Sequence, residues 1–254
     1  MRKKVIIGSV VFLVGMIALF LTGTIQNWVN DALNPNYIIL KNKVILYKNN
    51  SGWQEIKLKS RNTGEALSKK YFVYADKNYN GVKLGYQNEN LFIIKQKRAS
   101  KIDGFRLATT NKNVKLADYD LINSSYEDDN LVINVVSDLG GSFTKPYDYQ
   151  KVVYDFDNDG VSESLYFVTN ISLEPDSYIP FSVIFMYKNK NVDIIDKASL
   201  YKFDVEEILD LDGDRIYEMI VAASKKVTDT RYDSCYQIYD FTDNKWKIIK
   251  KCEI

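Results

Sequence analysis

Residues 151–168 read KVVYDFDNDGVSESLYFV, and residues 206–221 read EEILDLDGDRIYEMIV. The two align at an offset of 55 residues. In each, an apolar run enters an acid-rich loop and a second apolar run leaves it. Asp155, Asp157, Asp159 and Glu163 keep the same spacing as Asp210, Asp212, Asp214 and Glu218. Downstream, FMYKNKNVDII (185–195) aligns with YDFTDNKWKII (239–249) at an offset of 54. One unit therefore reads strand, acidic loop, strand, connection, strand, tight turn, strand. Four strands in roughly 50 residues suit a propeller blade.

The rest of the chain has the same texture. Short apolar runs such as YIIL (37–40), KVILYK (43–48), YFVYA (71–75), LFIIKQ (91–96) and LVINVVS (131–137) alternate with Asn-, Asp- and Gly-rich turns. Among 254 residues there are 19 Tyr and 12 Phe but only 4 Pro, a composition that favours pleated, half-buried surfaces. LYKNNSGWQEI (46–56) echoes the tight hairpin of the repeat. ADKNYNG (75–81) echoes the acidic loop, but its ninth position is Leu84, so it reads as a hairpin turn at Asn80-Gly81. The expectation is an all-β, propeller-like ectodomain of four-stranded repeats. Degenerate repeats, or a separate β domain, span 37–150, and two acid-loop repeats span 151–254.

The chain opens MRKKVIIGSVVFLVGMIALFLTGTIQ. Residues 1–4 form a basic tail, and 5–25 are uncharged, apolar on every face and about long enough to cross a bilayer as a helix. Residues 26–36 form a polar linker. Only Thr22-Gly23-Thr24 resembles a cleavage site, so an uncleaved anchor is expected, with secretion after signal cleavage as the alternative. The basic tail keeps the N-terminus cytoplasmic and places the remainder outside. Glycines at 8, 15 and 23 do not form a Gly-x-x-x-Gly dimerisation face.

The only two cysteines, Cys235 and Cys252, flank a hairpin that turns at Asp243-Asn244. That turn opposes Phe241 to Trp246, Tyr239 to Ile248, Gln237 to Lys250 and Cys235 to Cys252. On the other face it sets Ile238 against Ile249 and Asp240 against Lys247. Opposed Cα atoms lie about 4.5–5.5 Å apart, within disulfide range. A Cys235–Cys252 disulfide is expected in an oxidising compartment, two free thiols otherwise.

Three acids at alternate positions and a fourth four residues on can wrap their oxygens round one centre. The carbonyl of the seventh residue, Val161 or Ile216, supplies a further oxygen. Such all-oxygen coordination suits Ca²⁺ better than Mg²⁺, which keeps more of its waters. Without a cation the carboxylates repel one another. Plain Asp-rich turns are the alternative. An EF-hand is excluded, because its twelfth-position Glu is Tyr166 or Val221 here.

These two stretches resemble the FG-GAP/VCBS repeats of integrin-α-type β-propellers, whose loops bind Ca²⁺ within a blade. The resemblance implies metal-ligand roles for Asp155, Asp157, Asp159 and Glu163, and for Asp210, Asp212, Asp214 and Glu218. The family places Gly after the third acid. Gly160 fits, whereas Arg215 puts a cation beside the second ligand set, which should weaken that site, and Gly213 comes two positions early.

Charge and composition narrow the function. Setting aside Arg2, Lys3 and Lys4 leaves 31 of the 34 basic residues against 33 acidic ones, which speaks against a nucleic-acid surface. The absence of His removes Ser-His-Asp and His-zinc chemistry. The reading is a membrane-anchored extracytoplasmic binding module, not an enzyme, with structural calcium and a protein or glycan partner. Exposed aromatics such as Tyr147 and Tyr149 line a contact or pack within the fold. The alternatives are a cell-envelope glycan hydrolase, which needs two carboxylates across a cleft, and a structural subunit of an envelope complex.

Overall fold

A computed structural model describes residues 36–41, 44–49, 51–58, 63–87, 90–95, 98–123, 128–172, 181–199, 202–228, 231–243 and 245–252. The basic tail, the anchor at 5–25 and nearly all of the linker lie outside these residues. No helix among the described residues is long and apolar enough to cross a membrane. The structure is mostly antiparallel β-sheet and divides into two compact units, 1–112 and 113–254.

The first unit is one eight-stranded sheet. Its strands are β1 (Tyr37–Leu40), β2 (Val44–Asn49), β3 (Gly52–Lys57), β4 (Lys70–Tyr74), β5 (Tyr79–Gln87), β6 (Asn90–Lys95), β7 (Arg98–Lys101) and β8 (Leu107–Thr109), in the order β3-β2-β1-β8-β4-β5-β6-β7. LYKNNSGWQEI does form a hairpin, β2 to β3, with Asn49 opposite Gly52. A short helix, α1 (Thr63–Leu67), lays Ala66 on the core, where its carbonyl accepts a 2.8 Å hydrogen bond from the buried Tyr71 hydroxyl. The Asn80-Gly81 turn is corrected. Both residues lie inside β5, and the chain reverses over 75–78. Gly81 does adopt a positive φ, 62°, but as part of a β-bulge between the Tyr71–Val82 and Val73–Tyr79 pairs.

The second unit holds the repeats. Strands β9 (Lys115–Leu116) and β10 (Asp120–Asn123) and helix α2 (Asp129–Asp138) come first. The first repeat is β11 (Ser142–Tyr154), β12 (Glu163–Ser172), β13 (Phe181–Lys188) and β14 (Asn191–Ala198). The second is β15 (Lys202–Asp210), β16 (Glu218–Thr228), β17 (Arg231–Thr242) and β18 (Lys245–Lys250). Each repeat is a four-stranded meander, as its sequence predicts. Each also gains a fifth strand on its first: β10 pairs with β11, and β9 with β15. Both sheets are open, ending at β10 and β14, and at β18 and β9.

Period-2 patterning explains the layering. In β12, Leu165 and Phe167 point into a core shared with the second sheet, where they join Phe203, Met219, Val221 and Tyr239. Tyr166 and Val168 point the other way, onto Val132, Val135 and Val136 of α2. With both faces covered, the strand reads as a nearly continuous apolar run. LVINVVS, expected as a strand, is therefore this helix. Val132, Val135 and Val136 stand at helical spacing and share one buried face. Asp128 pins the helix start, taking a 2.9 Å ion pair from Lys151 and a 2.8 Å hydrogen bond from the Tyr166 hydroxyl. Of the two readings of Tyr149, packing within the fold holds and an exposed contact does not. This tyrosine is buried, and its hydroxyl donates to Asp129 at 3.2 Å. The Tyr147 side chain lies outside the described ones. Asp196 of β14 ties the repeats together, accepting from the Tyr239 hydroxyl at 2.7 Å and from Gln237 Nε2 at 3.4 Å.

The last hairpin keeps the expected register from Phe241–Trp246 to Tyr239–Ile248, with Asp240 opposite Lys247. Beyond it a bulge intervenes. Ile238 pairs with Lys250, not with Ile249, so the Gln237–Lys250 and Ile238–Ile249 pairs do not form. The bulge leaves Ile249 exposed while Ile248 still packs on the core. The Cys235–Cys252 disulfide forms all the same, across a Cα separation of 5.9 Å.

Candidate metal centre

Both acidic loops hang between the first two strands of a repeat, and their backbones follow one plan. The second residue is a core anchor. Phe156 is fully buried against Trp246 at 5.1 Å and Tyr154 at 5.5 Å between ring centroids, and Leu211 is buried in the second loop. The anchor's N–H donates to the ninth-position carboxylate: Phe156 to Glu163 Oε2 at 2.9 Å, and Leu211 to Glu218 Oε2 at 2.7 Å. The sixth N–H returns to the first acid, Gly160 to Asp155 at 2.8 Å and Arg215 to Asp210 at 3.1 Å. The seventh N–H binds the third acid, Val161 to Asp159 at 2.8 Å and Ile216 to Asp214 at 2.7 Å. The fifth binds the second acid at 3.2 Å in both loops.

This path needs a left-handed residue at positions four and six. The first loop meets it with Asn158 (φ 57°) and Gly160 (φ 87°), the second with Gly213 (φ 92°) and Arg215 (φ 76°). Each loop spends its glycine on a different one of the two positions. Gly213 is thus not misplaced. Arg215 contributes a backbone N–H, and its exposed side chain makes no ion pair with the loop acids among the described residues.

The predicted ligands are brought together. One carboxylate oxygen from each of Asp155, Asp157 and Asp159 lies within 4.8 Å of the others, and the same holds for Asp210, Asp212 and Asp214. Glu163 and Glu218 stand buried behind them. Val161 is exposed and Ile216 half-buried, packed on the edge of the core.

A cation separates the two loops. In the first, the Lys188 ammonium lies 2.6 Å from Glu163 Oε1, 2.9 Å from Asp157 Oδ2 and 2.9 Å from Asp159 Oδ2. Burial alone pulls this ammonium down. Its bonds to Glu163, Asp157 and Asp159 outweigh that and hold it above the ordinary lysine value. Hydrogen bonds from Lys188 and then from the Val161 N–H hold Asp159 below the usual carboxylate range. Glu163 is still raised, because its burial exceeds the opposing pull of Lys188 and the Phe156 N–H.

No such cation reaches the second loop. The ladder register shows why. One step beyond Ser164–Tyr187 the pair is Glu163–Lys188, whereas one step beyond Met219–Tyr239 it is Glu218–Asp240. A fifth acid stands where the first loop has its lysine. Burial, then Asp212, Asp240 and Asp214, push the Glu218 carboxyl up to about 8 against the Leu211 N–H. Asp212 is raised as well, by burial first and then by Asp214. Among the described residues no ion pair joins Asp210, Asp212, Asp214 or Glu218 to a lysine or arginine.

No family model, curated protein or solved structure matches the chain. The sites must be weighed on their own chemistry. The second loop fits a hard divalent cation: three carboxylates gather within 4.8 Å, the Asp210 side chain among them buried, with buried Glu218 behind and no lysine or arginine paired to any of the four among the described residues. The first loop does not fit one alongside Lys188, since the ammonium already holds three of the four oxygen donors.

Sequence reasoning found the acids and missed Lys188 and Asp240. Aligning the hairpins by their turns sets Lys188 against Thr242, but the second hairpin runs two residues further past its loop, so the ladder sets Lys188 against Asp240. A lysine at the end of FMYK, on the strand paired with the one leaving the acids, was the available signal.

Proposed function

We propose that the second acidic loop takes a calcium-class cation that ties the last repeat together, within a membrane-anchored extracytoplasmic binding module. The observation that carries this is the second loop's uncompensated charge: Asp210, Asp212 and Asp214 gathered within 4.8 Å, with Glu218 buried behind them. A divalent ion relieves that repulsion and ties the start of β16 to the end of β15. Its role is structural. The spacing resembles that of FG-GAP/VCBS loops, in which calcium has this place, and the propeller-like repeat is the architecture that goes with it. Residues 5–25 supply the anchor, and the Cys235–Cys252 disulfide suits an oxidising space beyond it. The partner is a protein or glycan met by the loop faces, an inference from fold analogy.

Thermal unfolding of the full chain in detergent, with Ca²⁺ and then with EDTA, tests the metal. A ligand bound only by the folded state stabilises it by about 2.7 kcal/mol at a hundred times its Kd. Calcium should raise the melting temperature, and Asp212→Ala should abolish the rise. Coincident curves up to millimolar calcium would make the loop a plain turn.

A further inference from the structure

We infer that Lys188 is the resident cation of the first acidic loop: its ammonium takes the place of a metal ion, so that this loop folds without metal and the chain binds one divalent cation rather than two. The inference rests on the reading of the loops as cation sites and departs from it for one of them.

Three observations meet at this side chain. Its Nζ reaches Glu163, Asp157 and Asp159 at 2.6–2.9 Å, so it sits where an ion shared by those carboxylates would sit. It reaches them from a fixed place, the end of β13 directly opposite the start of β12, with only a fifth of its side chain exposed. Glu163, fully buried, has its other oxygen held by the Phe156 N–H, so Lys188 completes the coordination of a carboxylate that has no access to water. A divalent ion and an ammonium cannot share these oxygens, because each repels the other at contact distance. The second loop supplies the internal control. It shares four of the backbone hydrogen bonds and the same four acids, with Asp240 at the position of Lys188. One residue on the neighbouring strand therefore decides whether the loop carries its own cation or draws one from solution.

Exchanging these residues tests the inference. Calcium stoichiometry would be measured by isothermal titration on the full chain in detergent, with near-ultraviolet circular dichroism as the check on folding. The wild type should bind one ion and Lys188→Asp two, whereas Asp240→Lys should take up none at calcium concentrations that just saturate the wild type, its affinity being weakened by about tenfold or more. If Lys188→Asp folds only when calcium is added, and not with the same ionic strength of NaCl, that also supports the inference. Two ions on the wild type would overturn it, as would a folded Lys188→Asp that gains no site. If Lys188→Asp never folds, Asp240→Lys decides, since retained calcium binding there would show that a lysine at this position does not exclude the ion. The two readings fail separately. A wild type that binds nothing sinks calcium at the second loop, and a Lys188→Asp chain that then binds one ion leaves the role of Lys188 standing.

Discussion

The two acidic loops share a backbone and differ in their source of positive charge. Each hangs from a buried anchor, Phe156 or Leu211, and in each the second, fifth, sixth and seventh N–H groups bind corresponding acids. In the first loop the neighbouring strand brings Lys188 into the acids, and in the second the same register brings Asp240. Loop geometry and loop electrostatics are thus set by different parts of the chain. The acids and the left-handed turn residues fix the path, and a residue some 25 positions away in sequence decides what neutralises it. A repeated acidic spacing is therefore a statement about shape before it is one about metal.

The comparison is broken most severely at the anchors. Phe156→Ala should destabilise the second unit by about 3–5 kcal/mol, because it empties a fully buried site in the shared core. Leu211→Ala should cost about 2–5 kcal/mol, and it should also weaken calcium binding, because losing the buried side chain loosens the backbone whose N–H orients Glu218. Urea unfolding in EDTA, followed by calcium titration of each variant, reads both effects. Next comes the staple that only the second repeat has. Reducing Cys235–Cys252, which closes a separation of 17 residues, should cost about 3 kcal/mol, measured as a shift in the urea midpoint.

Smaller changes sharpen the contrast in charge. Lys188→Met should cost about 2–3 kcal/mol in EDTA, less than the loss of a fully buried partner because the ammonium keeps a solvent-facing side. Added calcium should narrow the gap between Lys188→Met and the wild type, whereas the gap between Phe156→Ala and the wild type should stay the same with or without calcium. The smallest effect is expected at Arg215. With φ at 76°, Arg215→Gly should stabilise the chain by about 1 kcal/mol through relief of backbone strain and leave calcium affinity unchanged, since the arginine side chain pairs with none of the acids. A marked rise in affinity would restore the weakening role that its charge suggests from the sequence.

Much of this was legible in the residues. The repeat, its four-strand order, the acid sets and the disulfide follow from spacing, because period-2 alternation and turn chemistry are local. Most of the failures share a cause, which is that the deciding partner is distant; the Asn80-Gly81 turn is the local exception. LVINVVS suits a strand by composition and became a helix because Val132, Val135 and Val136 had a sheet face to cover. Asn80-Gly81 has the backbone preference of a turn and used it for a bulge, since the Val73–Tyr79 pair reverses the chain earlier. Tyr149 looked exposed in KPYDYQ and is buried under the same helix. Lys188 and Asp240 escaped notice because repeats were aligned by their turns, and strand length beyond the loop shifts that alignment by two.

The pairing of β9 with β15 also bears on how the unit is made. Leu116 lies opposite Leu209, and the N–H of Ala117 donates to the Ile208 carbonyl at 2.9 Å. The first strand of the unit therefore leaves the ribosome about ninety residues before its partner exists. Long-range pairing of this kind slows folding, and it leaves early apolar residues such as Ala117 waiting for the second repeat. The unit closes from its far end. The strand that bears Asp210 is the same one that claims β9, so assembly of the candidate metal loop and closure of the unit coincide late in synthesis.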